Sequence, residues 1–249
     1  MNGPAPLAIV MTIAAMVVLA RGPAAQGSAT TEDLLERFRA EAVFWRQFEI
    51  AKELAARQEP RVLVALEPLL IADDRHIRGN AAFVFACLGD PRGLATIRGI
   101  LADRSDRPLG QGIPRAPSNP GQTRWWMREQ IRADRYHAVH MLGELRDSSG
   151  VDVLVPLLGD PDVNYHAAWA LALIGDLRAT GPLIGALDDP SALMRVSAIQ
   201  ALEALDASEA VPKLRGLLGD QELPAAGPRV PVSETAKAAI RRLLRQPQE

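Results

Sequence analysis

The chain has 249 residues and a formal net charge of −2, with 48% hydrophobic, 4% aromatic and 23% charged residues. A chain of this size can bury a substantial core, and the low aromatic content favours Ala- and Leu-rich helices over a β-sandwich. The absence of a polybasic run argues against a general nucleic-acid-binding surface. Cys87 is the single cysteine, so an intramolecular disulfide and a cysteine-based zinc site are both excluded.

An uncharged apolar stretch occupies residues 7–20, and small residues follow it. The stretch is shorter than the roughly 20 residues that a membrane-spanning helix needs, and it is typical of the hydrophobic part of a signal peptide. We therefore predict that residues 1–29 are a signal peptide and linker, cleaved between residues 21 and 30, and that the protein is periplasmic or secreted. The alternative is a membrane anchor formed by residues 7–20.

The first predicted helix begins after Thr30, a hydroxyl cap that is followed by two acids. Apolar positions continue at helical spacing, so we predict one helix of roughly 26 residues that ends before Pro60 and whose first half caps the fold. A second helix follows at residues 62–70. A helix at residues 233–245 closes the other end of the fold.

Four related stretches lie between these ends, beginning at Arg78, Arg135, Asn164 and Arg195. Small or apolar residues in each fall on one helical face. The undisturbed spacing of 29 to 31 residues is typical of a solenoid of stacked helix pairs. We predict an all-α, right-handed α-α superhelix over residues 30–249. The second helix of each pair ends on an acid: Asp103, Asp160, Asp189 or Asp220.

Two Pro- and Gly-containing stretches interrupt the period, at residues 104–123 and 221–232. Such stretches are not helical, so we predict loops at both places. We expect the longer loop, through Leu109 and Ile113, to cover apolar side chains of the first helices of the pairs, such as Trp169.

Arginines and two tryptophans are concentrated in residues 104–135. We predict that this segment folds back on the solenoid, with the arginines paired to the acids at the ends of the second helices and Trp125 and Trp126 packed. The alternative is a binding site for an acidic partner, a glycan or an anionic lipid.

The repeated string Arg/Asn-x-x-Ala-Ala/Val-x-x-Leu-x-x-Leu-Gly-Asp, followed by a Leu-rich helix, resembles the short HEAT repeats of phycobilisome lyases over residues 42–245. The resemblance implies a HEAT-type solenoid, a fold that occurs in scaffolds, adaptors and a few enzymes. Among these enzymes, bilin lyases act on cytoplasmic light-harvesting proteins. Deoxyhypusine hydroxylases hold iron through His-Glu dipeptides, which this chain lacks.

Three polar side chains, His137, His140 and Glu144, lie on one predicted helical face, and His166 repeats the place of His137. These four residues could meet around a metal ion. We predict instead a polar-aromatic ladder on the first helices of the pairs, with no metal and no other cofactor. The sequence also lacks a nucleophile elbow, a phosphate loop and a dinucleotide-binding fingerprint.

These patterns together predict an exported, non-enzymatic scaffold that binds another protein and no nucleic acid. The alternative is an enzyme or enzyme subunit, lyase-like or hydroxylase-like, with a histidine-based metal or small-ligand site on the outer helices. The partner is expected to bind the concave face formed by the second helices, at positions that point away from the core stripe. The predicted partner-binding residues are Arg98, Val155, Ile184, Lys213 and Arg215.

Overall fold

A computed structural model describes residues 29–105 and 120–245. The predicted signal segment and loop residues 106–119, including Leu109 and Ile113, lie outside the described residues, so cleavage and the covering role of the loop stay predictions. The described residues form helices and contain no strand. None of these helices is long and apolar enough to cross a bilayer.

Contacts divide the chain into two compact units, one of residues Ser28–Ile174 and the other including Gly175–Glu249. The helices of the first unit are α1 Thr31–Ala40, α2 Phe44–Ala56, α3 Arg61–Leu66, α4 Arg75–Cys87, α5 Pro91–Ala102, α6 Pro120–Leu145, α7 Val151–Leu154 and α8 Asn164–Ile174. Those of the second unit are α9 Thr180–Gly185, α10 Ala192–Ala204, α11 Val211–Gly216 and α12 Val232–Leu243. Successive helices pack against each other in each unit, in keeping with the all-α, HEAT-type solenoid class that the sequence predicts.

The predicted first helix is in fact two helices, so the prediction of one uninterrupted helix was wrong. The backbone becomes extended at Glu41 and Val43, and the Gln47 side chain donates a hydrogen bond to the Phe38 carbonyl at 2.9 Å across the break. The break lets α1 fold back against α2 and α3. Leu34 and Phe38 are buried as a result, so this segment covers an end of the first unit.

The second helices of the pairs are shorter than their apolar pattern predicts. Helices α3 and α7 continue as 3-10 helices, Glu67–Ile71 and Val155–Gly159, and each of these carries a proline in its first turn, Pro68 and Pro156 respectively. Proline has no N–H group for the α-helical hydrogen bond, which favours the tighter turn.

Helix α6 begins at Pro120, inside the stretch that the sequence predicts to be a loop. Proline is well tolerated in the first turn of a helix, because the N–H group at that place has no partner within the helix. The last residues of the predicted 104–123 loop are therefore helical. Residues 103–105 have no regular structure.

The first helices of the pairs end on a residue in the left-handed backbone region. Gly89 and Gly175 have φ angles of 78° and 77°, a conformation that glycine adopts without the steric cost of a Cβ atom. The Asp90 N–H donates to the Phe85 carbonyl at 2.9 Å and closes the end of α4. Non-glycine residues take the same conformation at the other ends: Gln58, Arg146 and Asp206.

Candidate functional site

Helices α2, α4, α6 and α8 pack side by side in the first unit, and a chain of buried polar side chains crosses the seam between them. His137 Nε2 donates to Asn80 Oδ1 at 2.8 Å. The Asn80 amide donates in turn to Gln47 Oε1 at 2.9 Å. All three side chains are buried, and their mutual hydrogen bonds satisfy groups that would otherwise be costly to remove from water.

Buried arginines connect the beginnings of the first helices to the acids at the ends of the second helices. Arg75 contacts both Asp103 and Asp134, with Nη1 3.0 Å from Asp134 Oδ2. The Arg75 guanidinium holds the pKa of Asp103 well below its ordinary value. The same pairing recurs in the second unit, where Arg195 contacts Asp220 at 2.9 Å.

A third pair of this type involves the predicted loop. Asp160 Oδ2 lies 2.6 Å from Nη2 of the buried Arg135 and 2.8 Å from Nη2 of the exposed Arg104. The prediction that arginines of residues 104–135 pair with acids at the second-helix ends is confirmed for Arg104 and Arg135. Trp125 is 44% exposed, so it is not buried as the prediction has it.

Five ring-bearing side chains of α6 and α8 form what we call the aromatic face: Tyr136, His140, Tyr165, His166 and Trp169. The His140 and Trp169 rings stack with centroids 4.9 Å apart and planes within 5° of each other. The His166 ring lies between the two tyrosines, with centroids 4.1 Å from Tyr136 and 3.8 Å from Tyr165. Trp169 keeps 41% of its surface exposed, so this face offers a partly open ring for stacking.

His166 carries an unsatisfied polar atom within the aromatic face. Its Nδ1 is buried and has no hydrogen-bond partner among the described residues. Arg132, one helical turn before Tyr136, is close enough to lower the pKa values of both Tyr165 and His166. Burial has the larger effect on each: it raises the pKa of Tyr165 overall and lowers that of His166 to about 3. His166 is therefore neutral near pH 7.

The four residues considered as metal ligands point to different partners. His137 is hydrogen-bonded to Asn80, His140 stacks on Trp169 with Nε2 3.8 Å from Glu144 Oε1, and His166 contacts the tyrosines. Within the part of the chain that the structure describes, no group of three or more His, Cys, Asp or Glu side chains is placed to hold a metal ion. The arrangement is a polar-aromatic ladder, and His137 is its buried member.

Acidification should destabilise the protein through these histidines. Burial lowers the pKa values of His137, His140 and His166 below the ordinary 6.5. The unfolded chain therefore binds more protons than the folded one below that value, and stability falls as the pH decreases from about 6.5 towards about 3. When the pH falls from about 7.5 to about 5.5, the free energy of unfolding of the His166→Gln variant should decrease by about 1 kcal/mol less than that of the parent. Urea unfolding at both pH values measures the difference. Equal decreases in the free energy of unfolding of the variant and the parent would contradict the prediction.

A groove of about 570 Å³ opens at the carboxyl-terminal ends of α2, α4 and α6. Its wall includes Ala56, Cys87, Leu94, Glu144 and Asp147. Burial raises the pKa of the Cys87 thiol to about 11, so the thiol is protonated near pH 7 and is not an activated nucleophile. Sequence reasoning missed this groove, although the recurring helix ends at residues 56, 87 and 145 were a signal for it.

The predicted partner-binding residues fall in both units. In the first, Arg98 is exposed and Val155 is half-buried. In the second, Ile184 is half-buried, Arg215 is exposed, and Lys213 forms an ion pair with Asp188 at 2.7 Å. Their role in partner binding stays a prediction in each unit.

Comparison with known families settles what the repeats are. The family model for HEAT repeats matches residues 126–192 and 159–226. Residues 126–226 are HEAT repeats. Two solved structures are similar at low sequence identity. The first is a chain of the complex of CpcE and CpcF of phycocyanin lyase from Nostoc sp. PCC7120, with a TM-score of 0.44 and 18% identity over 89% of this chain and 79% of that chain. The second is a designed armadillo repeat protein, with a TM-score of 0.45 and 19% identity over 86% of this chain and 92% of that chain.

A curated relative adds a functional comparison. The chain is 39% identical over 95 residues to phycocyanobilin lyase subunit alpha of Picosynechococcus sp., a match that covers 34% of this chain and 35% of the relative. The chain thus matches about a third of the length of that relative.

This match corrects two predictions. A non-enzymatic scaffold is the wrong interpretation, because the curated relative is a lyase subunit. The error has a physical reason: HEAT repeats are an architecture shared by scaffolds and enzymes, so the repeat pattern alone does not report activity. The periplasmic or secreted location is overturned by the same match, since the bilin lyases that the repeats resemble act on cytoplasmic proteins. The apolar residues 7–20 on which that prediction depended lie outside the described residues.

Proposed function

We propose that this chain is a lyase-like subunit that binds a bilin, or a linear tetrapyrrole closely similar to one, and works together with another protein. The observation that carries the proposal is the 39% identity over 95 residues to a phycocyanobilin lyase subunit. The word subunit in that relative's name supports a protein partner for this chain as well.

The aromatic face supplies side chains suited to such a ligand. A bilin is an extended conjugated molecule with two carboxylate side chains. Trp169 and its stacking partner His140 present flat rings, against which a conjugated system packs favourably. Arg132 lies beside this face, half-buried and 3.9 Å from Glu129, and a guanidinium there suits a ligand carboxylate.

His166 gives the proposed site a hydrogen-bonding group. Its buried Nδ1 has no partner among the described residues, and an unsatisfied buried polar atom costs about 1–3 kcal/mol. If the His166 ring turns on binding, a pyrrole N–H or a lactam oxygen of the ligand would complete the bonding of this atom. Because His166 is neutral near pH 7, the ring can either accept or donate according to its tautomer.

Titration of the purified chain with phycocyanobilin tests the proposal. We expect the visible absorption band of the bilin to change on binding and tryptophan fluorescence to be quenched. The Trp169→Ala variant should bind about three- to tenfold more weakly, because ring stacking contributes about 0.5–1.5 kcal/mol.

The matched control is Trp45→Ala in α2, since Trp45 is 39% exposed and Trp169 is 41% exposed. Trp45 contacts the Arg46 guanidinium rather than the aromatic face, so this variant should bind the bilin as the parent does. An unchanged bilin spectrum, or equal weakening by the two substitutions, would rule out binding at the aromatic face.

A further inference from the structure

The groove at the ends of α2, α4 and α6 contains none of the five residues of the aromatic face. Its volume of about 570 Å³ lies within the range of about 300–1,000 Å³ that is usual for small-molecule sites. Its wall is mixed and includes the apolar residues Ala56, Phe83, Leu94 and Leu145. The proposed function uses none of these residues.

More carboxyl-terminal than amino-terminal ends of α-helices line the groove. Residues of the last turns of three helices line it, among them Ala56 of α2, Cys87 of α4 and Leu145 of α6. The last carbonyl groups of a helix lack partners within the helix, and each helix end carries the equivalent of about half a negative charge. The amino-terminal end of α5, with Pro91 in its first turn, also lines the groove and opposes them, but the three carboxyl-terminal ends outnumber it and favour a positively charged occupant.

Charged side chains reinforce this field. Of the charged wall residues, Lys52 is neutralised by Glu49 at 2.8 Å, and Asp90 by Arg92 at 2.8 Å. Glu144 and Asp147 remain, both at the end of α6.

Neither of these two carboxylates forms an ion pair with Lys52, the cation of the wall. The nearest basic group to Glu144 is the His140 ring at 3.8 Å, whose pKa burial lowers, so that it is neutral near pH 7. Asp147 accepts the Ser149 N–H at 2.8 Å, a hydrogen bond that lowers its pKa and keeps it ionised. Arg146 lies between the two in sequence but is not part of the wall.

We propose that this groove binds a small organic cation, an ammonium or guanidinium group on an apolar body. The cationic head would lie beside Glu144 and Asp147, and the apolar body would pack along Leu145, Leu94 and Ala56. An anionic ligand is disfavoured by the same field, so the groove is not a second site for a carboxylate-bearing tetrapyrrole.

Three probes of nearly equal size separate charge from apolar contact: hexylamine, hexanol and hexanoate. Binding is followed by chemical shift changes in NMR spectra of the full chain. We expect hexylamine to bind about tenfold more tightly than hexanol, a difference of about 1.4 kcal/mol, and hexanoate not to bind measurably. Added salt should weaken the binding of hexylamine and leave that of hexanol unchanged.

Two substitutions locate the site. The Glu144→Gln variant should bind hexylamine several-fold more weakly with no change for hexanol, while Glu36→Gln, an exposed acid of α1, makes the same change in net charge and should have no effect. The Ala56→Trp variant should block all binding, because Ala56 is an exposed last residue of α2 on the groove wall. Ala102→Trp, at the exposed last residue of α5 outside the wall, is its control.

The proposal is overturned if hexylamine and hexanol bind equally, if Glu36→Gln weakens hexylamine as much as Glu144→Gln does, or if the Ala56→Trp variant keeps its full affinity. Phycocyanobilin titrations of the Ala56→Trp variant should match those of the parent. Failure at the groove and failure at the aromatic face are therefore measured separately.

Discussion

Replacing Arg135 by alanine should lower the free energy of unfolding by about 3–5 kcal/mol, because the change removes one partner of a buried ion pair. The Arg135 side chain is 1% exposed, and its Nη2 lies 2.6 Å from Asp160 Oδ2. Its Nε also donates to the Leu101 carbonyl at 3.0 Å. Both acceptors would lose a charged donor, and the space left by the arginine would add a packing loss. Urea unfolding of the purified variant measures the change.

Arg104→Ala is the matched control, because Arg104 binds the same oxygen of Asp160 at 2.8 Å but its side chain is 54% exposed. Exposed ion pairs contribute about 0–1 kcal/mol, so this variant should unfold close to the parent. Equal losses for the two variants would mean that the charge of Asp160, rather than the burial of Arg135, determines the effect.

Replacing Gly93 by alanine should have a second large effect, a loss of about 3 kcal/mol from overpacking. A Cβ atom at Gly93 would lie 2.3 Å from the Ala86 nitrogen and 2.4 Å from the Ala82 oxygen. These are backbone atoms of α4, so α5 would have to move away from α4, its main packing partner. For a domain of this size we expect the melting temperature to fall by about 6–12 °C.

The control lies on the same helix. A Cβ atom at Gly99 would meet nothing within 4 Å, and alanine is favoured over glycine inside a helix by about 0.5–1 kcal/mol. Gly99→Ala should therefore raise the melting temperature slightly. A Gly93→Ala variant as stable as the parent would show that α4 and α5 are not packed as closely as the structure has them.

The histidines show how far sequence reasoning reached toward the candidate site. Helical spacing correctly placed His137, His140 and Glu144 on one helix, and the repeat placed His166 on a neighbouring one. Spacing could not tell that His137 turns towards Asn80 while His140 lies on Trp169. Those partners come from other helices, so the choice between a metal cluster and a ladder of separate contacts depended on packing.

The buried ion pairs show the same division. The repeat pattern identified Asp103, Asp160 and Asp220 as recurring acids at helix ends. Their arginine partners lie 28, 25 and 25 residues earlier in the chain. A separation of that size has no local signature, because the two groups lie on the first helix and at the end of the second helix of one repeat.

The sequence by itself determined the helical class, the repeat period, the glycine-terminated helix ends and the HEAT architecture of this protein. These features depend on local rules: which residues share a helical face, and which backbone conformations glycine and proline allow. Tertiary structure decided the break between α1 and α2, the burial of Arg135, the aromatic face and the groove. Each of these arises where side chains or helix ends from different helices meet, and the energy of such a contact depends on distances and burial that no single helix contains.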